Sequence, residues 1–330
     1  MRAVVFDEPG DEDVLRVAEV PALELGEGEV RIAVAGAGVN RADLLQRRGL
    51  YPPPPGASEI IGLECAGTVS EVAIGVDGLA VGDRVMALLA GGGYATEAVA
   101  PSVCVMRTPD ALTDIEAAAV PEVFMTAFLN LLVIGNLEAG ASALVHGGSG
   151  GVGTAAIQLA KAAEARIFVT AGSAERCQRC LDLGADAAFN HRVDDFLAAT
   201  LDATDGHGVD VVLDCIGGPY LERHLDVLAP SGRLVVIGLQ GGAEAELDLS
   251  RLMRKRLSIT GSTLRARPIE EKGRIIEAFV RRFGPELMTG AIRPIVDRVL
   301  PLDEVSQAHR LLAAGEIFGK LVLATESVSP

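Results

Sequence analysis

Three glycines, Gly148, Gly150 and Gly153, stand in the order G-x-G-x-x-G within Leu144-Val145-His146-Gly147-Gly148-Ser149-Gly150-Gly151-Val152-Gly153. Chemistry that needs this spacing is the cradling of a dinucleotide pyrophosphate. The first glycine permits the tight turn, the second lets main chain approach the phosphates, and the third lets helix pack on strand. Residues 143–145 read as an apolar strand feeding the turn, and a helix pattern starts near Val152. The first-turn N–H groups and the positive end of the helix dipole then face the anion. Ser149, Gly151 and Val152 complete the turn and join its expected cofactor contacts.

The next strand, 166–171, ends in Thr170-Ala171-Gly172-Ser173. An NAD-preferring site usually carries Asp or Glu there for the ribose 2′-OH. Here Arg176 follows in the first turn of the next helix, opposing the helix dipole at about 0.3–1 kcal/mol. A bound 2′-phosphate offsets that cost, so the expected cofactor is NADPH, with Gly172, Ser173 and Arg176 beside the 2′-phosphate. An N-cap serine with a solvated arginine is the alternative. Later strand ends bring Cys215-Ile216-Gly217, Gly238-Leu239 and Leu264 to the carboxyl edge of the sheet, where nucleotides bind, with ordinary loop glycines as the equal alternative.

The elements that must position these residues alternate from about residue 121. A helix at 121–134 precedes strand 143–146. Helix 152–164, strand 166–171, helix 174–183, strand 186–190 and helix 193–200 follow. Then come strand 210–215, helix 220–228, and strands 233–238 and 257–264. Such alternation predicts an α/β fold with a doubly wound parallel sheet of Rossmann type. Residues 1–120 are β-rich, with short runs at 30–34, 66–72 and 84–89, and read as a compact antiparallel barrel. Helices at 269–282 and 303–314 and a strand at 319–323 close the chain, the strand returning to the first domain. The expected division is 1–120 with 266–330 against 121–265. Glu326 to Pro330 are expected to fray.

The 330 residues carry a net charge of −16, which disfavours nonspecific binding to nucleic acid or anionic membranes. No run approaches 18 apolar residues and the N-terminus has no secretory pattern, so a cytoplasmic protein is expected. Five scattered cysteines suit a reducing compartment. Cys177-x-x-Cys180 lies on a predicted helix without a second pair, so it reads as helix surface and core. His146 reads as structural, since no Ser–His–Asp arrangement forms around it.

The glycine-rich signature, Asn40-Arg41-Ala42-Asp43, the Tyr51-Pro52-Pro53-Pro54-Pro55-Gly56 loop and Asp214-Cys215-Ile216-Gly217-Gly218 together resemble the medium-chain dehydrogenase/reductase superfamily. Within it they are most similar to the zinc-free, zeta-crystallin-like quinone oxidoreductases, in the branch of the tumour-suppressor-inducible enzyme. The resemblance implies a GroES-like barrel beside the Rossmann domain, and a homodimer joined at sheet edges. It places Asn40 and Tyr51 toward the substrate as catalytic residues, against a turn cap and an aromatic plug as alternatives. Thr126 falls near the nicotinamide or in a helix core. His191 stands on the 2′-phosphate side where relatives often carry Tyr, and Lys320 either contacts the cofactor or is solvated. Zinc-dependent relatives carry Cys where Asn40 stands and Gly-His-Glu where Gly62-Leu63-Glu64 stands. No metal is therefore expected, and Asp43 and Glu64 read as structural carboxylates. The implied reaction is NADPH-dependent reduction of a quinone. Reduction of an α,β-unsaturated carbonyl and a low-turnover NADPH-binding role are the alternatives.

Overall fold

The computed structural model describes residues Met1–Thr325. The expected fraying of Glu326–Pro330 lies outside the described residues. The chain forms two compact units, Met1–Met125 with Leu264 onward, and Thr126–Thr263.

In chain order the first unit holds β1 (Arg2–Val5), β2 (Arg16–Glu19), β3 (Glu29–Val39), α1 (Arg41–Arg47), β4 (Glu64–Val72), β5 (Arg84–Leu88), β6 (Glu97–Pro101), β7 (Val105–Arg107) and α2 (Asp114–Ala117). Helix α3 (Pro121–Ala127) follows and runs on as a π-helical segment, Phe128–Ile134. In β3, Val30, Ile32 and Val34 alternate inward, as a sheet with one buried face requires. They pack with Val69, Val85, Tyr94, Leu321 and Leu323 into one core.

The second unit comprises β8 (Ser142–His146), α4 (Gly151–Ala162), β9 (Arg166–Ala171), α5 (Ala174–Leu183), β10 (Ala187–Asn190), α6 (Phe196–Ala203), β11 (Val209–Asp214), α7 (Leu221–Val227), β12 (Leu228–Val236), α8 (Leu249–Lys255) and β13 (Ser258–Gly261). Its six strands are all parallel, in the order β10-β9-β8-β11-β12-β13. This is the doubly wound Rossmann order, and its direction of winding reverses between β8 and β11.

The chain then adds α9 (Ile269–Thr289), β14 (Val296–Pro301), α10 (Val305–Ala314) and β15 (Lys320–Ala324) to the first unit. Strand β15 runs antiparallel to β3 with Leu321 opposite Val39. It closes a seven-stranded GroES-like sheet ordered β14-β15-β3-β4-β5-β7, with β6 also on β3.

Several elements differ from expectation for identifiable reasons. Helix α6 starts at Phe196, not 193, because the Asp195 carboxylate accepts the Leu197 N–H at 3.0 Å and caps it. The strand expected at 257–264 is only Ser258–Gly261, so Leu264 lies outside it. Helix α9 continues past 282 to Thr289 through Pro285, with Phe283 and Leu287 buried along it. Helix α8 and strand β14 were not anticipated. Asp248 caps α8 through the Ser250 N–H at 2.8 Å, while β14 is half-exposed and lacks a clear alternation.

Candidate functional site

The glycine turn joins β8 to α4. Gly148 N–H donates to Thr170 O at 2.8 Å, and a Cβ on Gly148 would lie 2.5 Å from Val169 Cβ. A Cβ on Gly153 would lie 2.3 Å from Gly147 O, so only glycine lets α4 sit this close to the turn. Gly150 is the N-cap of α4 and offers no side chain to the first-turn N–H groups. A Cβ there would meet only Gly147 O, at 3.4 Å. The turn is thus tight on the sheet side, open at Gly150, and bordered by Ser149, Gly151 and Val152 at the helix start. An uncapped helix end with room for main-chain approach fits a pyrophosphate.

At the end of β9, Ser173 caps α5, its hydroxyl accepting the Arg176 N–H at 3.2 Å. Gly172 lies under two cationic or polar side chains: from its ideal Cβ position His191 Nε2 is 3.5 Å away and Arg192 Nε 3.8 Å. The structure therefore gathers Gly172, Ser173, Arg176 and His191 at one strand end and adds Arg192, which sequence reasoning missed. Its only signal was adjacency to His191.

Behind the turn lies a buried polar chain. His146 Nδ1 is 3.0 Å from Thr170 Oγ1, and its Nε2 is 2.9 Å from His224 Nε2. Two imidazoles meeting nitrogen to nitrogen bind only if one carries hydrogen and the other does not. Burial pushes His224 down to about 3 and His146 well below the usual imidazole range, which keeps both neutral. His224 Nδ1 is 3.9 Å from Asp214 Oδ2. That carboxylate accepts the N–H groups of Ile216 and Gly217 at 2.7 and 3.0 Å. Gly217 has a φ of 89° and pairs with Gly242, while Gly238 packs against Cys215. The Cys215 thiol points to His146 O at 3.5 Å, and Leu239 is exposed. His146 is structural, as expected. It also ties the glycine turn to the 215–217 turn.

In the first unit, strand register builds a second polar cluster. Pairing Gly36 with Ala66 and Val39 with Leu321 brings Glu64, Gly38, Asn40 and Lys320 together. A Cβ on Gly38 would stand 2.2 Å from Glu64 Oε1, so glycine admits the carboxylate. Lys320 Nζ donates to Val39 O at 2.9 Å, and to Asn40 Oδ1 and Glu64 Oε1 at 2.6 Å each. The solvated alternative for Lys320 is corrected: the residue is 2% exposed and all three ammonium donors are engaged within the protein. Asn40 Nδ2 donates to Glu64 Oε1 at 2.8 Å and Gly38 O at 3.3 Å, so both amide hydrogens are engaged as well. Asp43 accepts from Asn40 N and Tyr94 OH at 2.7 and 2.9 Å, and burial raises its pKa to about 6.

Tyr51 stands on a different footing. Arg265, itself 3% exposed, donates to Tyr51 O at 3.0 Å, Ala90 O at 2.7 Å and Gln46 Oε1 at 2.7 Å. Its guanidinium lies 5.3 Å from the Tyr51 ring centre. The arginine thus anchors the proline-rich loop. Burial and Glu122 push the Tyr51 hydroxyl above its ordinary range. Glu122, at the start of α3, donates its N–H to Glu64 Oε2 at 2.8 Å, and its own Oε2 is buried without a hydrogen-bond partner. Burial, with Glu64 nearby, raises the Glu122 carboxyl to about 8. Lys272, also buried, lies on α9. Sequence reasoning missed Arg265, Glu122 and Lys272. A lone acid inside the apolar run 117–134 was the available signal for Glu122. In the second unit, Thr126 lies near the end of α3 with its carbonyl accepting from Asn130 Nδ2 at 2.8 Å. Leu264 is buried.

Among the described residues no group of three or more His, Cys, Asp and Glu stands close enough to hold a metal ion, and no helix is long and apolar enough to cross a membrane. Residues 26–110 match the alcohol dehydrogenase GroES-like domain family, and residues 151–280 the zinc-binding dehydrogenase family. A mycocerosic acid synthase-like polyketide synthase from Mycobacterium tuberculosis is 34% identical over 324 residues, 96% of this chain. The chain spans only 15% of that synthase's length. A quinone oxidoreductase from Lama guanicoe is 33% identical over 326 residues, covering 98% of this chain and 97% of that protein. The crystal structure of Escherichia coli quinone oxidoreductase complexed with NADPH superposes with a TM-score of 0.87 at 29% identity, covering 98% of this chain and 100% of that one. With a Rossmann sheet, a GroES-like unit and a full-length quinone oxidoreductase relative, the chain belongs to the zinc-free quinone oxidoreductase-like family of medium-chain dehydrogenases/reductases.

Proposed function

We propose that this chain binds NADPH and uses it to reduce a conjugated carbonyl acceptor, a quinone in the first instance. The observation that carries the reading is the uncapped, glycine-lined α4 terminus next to a β9 end bearing Arg176, His191 and Arg192. Phosphate groups bind helix N-termini, and a cation after the second strand favours the 2′-phosphate. Bound NADPH supplies the hydride. The protein orients the dinucleotide through the glycine turn and the 215–217 turn. Tyr51, fixed by Arg265, steers the acceptor carbonyl. Asn40 acts by holding Glu64 and Lys320 in place, since its amide hydrogens are engaged. In this reading the unit Met1–Met125 with Leu264 onward handles the acceptor and Thr126–Thr263 the nucleotide.

The direct test is NADPH oxidation with para- and ortho-quinones. Turnover with at least one class is expected, and none with either would overturn the proposal. The identity with the polyketide synthase favours a second reading, reduction of a polarised C=C bond. Competition between a quinone and an enal for one site separates the two. A homodimer is part of the proposal, supported by the exposed edge strand β13. Light scattering that reports a monomer would remove it.

A further inference from the structure

We propose that Glu122 is the acid of the acceptor site: it carries a proton on Oε2 and donates it to the oxygen of the carbonyl being reduced. This rests on the reductase reading above and names a proton source, which that reading does not assign.

Geometry comes first. The Glu122 N–H is fixed to Glu64 Oε2, which pins the start of α3 against β4. Its own Oε2 is buried and lacks a partner among the described residues. A buried carboxyl oxygen left unpaired is costly, and the usual resolution is protonation or a ligand. The groups facing it are mixed in sign. Glu64 from β4 and Asp43 from α1 repel a charge there, while Lys320 from β15 and Lys272 from α9 attract one. Tyr51 and Arg265 also sense the Glu122 charge. Burial and Glu64 dominate, so the carboxyl holds its proton to about pH 8. The Tyr51 hydroxyl, pushed above 10, is the weaker acid.

The step balances simply. Two electrons and one hydrogen nucleus reach the acceptor as hydride from NADPH. The Glu122 O–H bond breaks, a new O–H bond forms on the acceptor oxygen, and Glu122 is left as carboxylate. A proton from solvent restores it. An acid near pH 8 is well matched to neutral working conditions.

Two measurements test this. In the first, infrared difference spectra of the cofactor-free protein follow the protonated carboxyl band against pH, with Glu122→Gln identifying the band. A midpoint near 8 is expected, and one below 6 overturns the inference. In the second, quinone reduction by wild type should fall as pH rises through about 8. Glu122→Gln should lose at least about tenfold in kcat at pH 7 and lose that limb, with NADPH affinity unchanged. Glu122→Asp should restore part of the limb. A wild type that reduces quinones but shares its rate and pH profile with Glu122→Gln sinks the inference and leaves the reductase reading standing. A wild type that reduces neither quinone nor enal sinks both.

Discussion

Arg176 sits where two demands conflict. As a cation in the first turn of α5 it opposes the helix dipole, and Ser173 already satisfies its backbone N–H. In the proposed reading a 2′-phosphate at the end of β9 resolves the conflict, with His191 and Arg192 close to Gly172. Arg176→Ala should therefore weaken NADPH binding much more than NADH binding. A charged hydrogen bond is worth about 1.5–3 kcal/mol, or roughly ten- to a hundredfold in affinity. Equilibrium titration with both dinucleotides measures it, and equal losses would contradict the assignment.

The β8–turn–α4 element makes two kinds of demand on its glycines. Gly153→Ala would set a methyl 2.3 Å from Gly147 O and 2.5 Å from Gly148 Cα, both main-chain atoms. The turn must open, at about 1–3 kcal/mol of stability, and NADPH affinity should fall with it. Gly150→Ala meets only one atom, at 3.4 Å, and its φ of −85° suits alanine. It should keep the unfolding midpoint while weakening NADPH binding, because in the proposed reading the methyl stands where the phosphates approach. Urea unfolding and titration separate the pair, and equal midpoint losses would argue against it. This element was legible because spacing alone encodes it, and the bounds of β9 and α5 matched expectation for the same reason. Helix α8 was missed because it has no buried residues, so no apolar stripe announced it. The Asn40–Glu64–Lys320 cluster was beyond reach because register, not local pattern, brings residues 24 and 280 positions apart into contact. Arg265 was opaque for a similar reason, since its partners Gln46, Tyr51 and Ala90 lie on distant segments.

For the whole molecule, the buried titratable groups set how stability responds to pH. His146, His224 and His309 have lowered values, so the unfolded chain binds their protons more tightly and stability rises as pH climbs toward 6.5. Asp43 and Asp214, both raised to about 6, act oppositely, and their stabilising effect is lost between about pH 4 and 6. The histidine set is the larger in number and in shift, so on balance these groups make stability rise as pH climbs through acid. Above pH 6.5 the two aspartates are ionised in both states, while the unfolded histidines shed their remaining protons by about pH 7.5 and add a last rise in stability. Glu122, raised to about 8, then remains protonated in the folded state alone, so its own contribution to stability should fall as pH rises to 8. One such group contributes a slope of up to about 1.4 kcal/mol per pH unit, or about 1–2 kcal/mol between pH 6.5 and 8. Glu122→Gln removes the titration and leaves every other group in place. Its urea midpoint should climb relative to wild type across that interval, because the variant keeps the histidine rise and lacks the Glu122 fall. The same slope in both proteins would mean that the carboxyl is already ionised in the native state, and any common fall would belong to the repulsion of a chain with net charge −16.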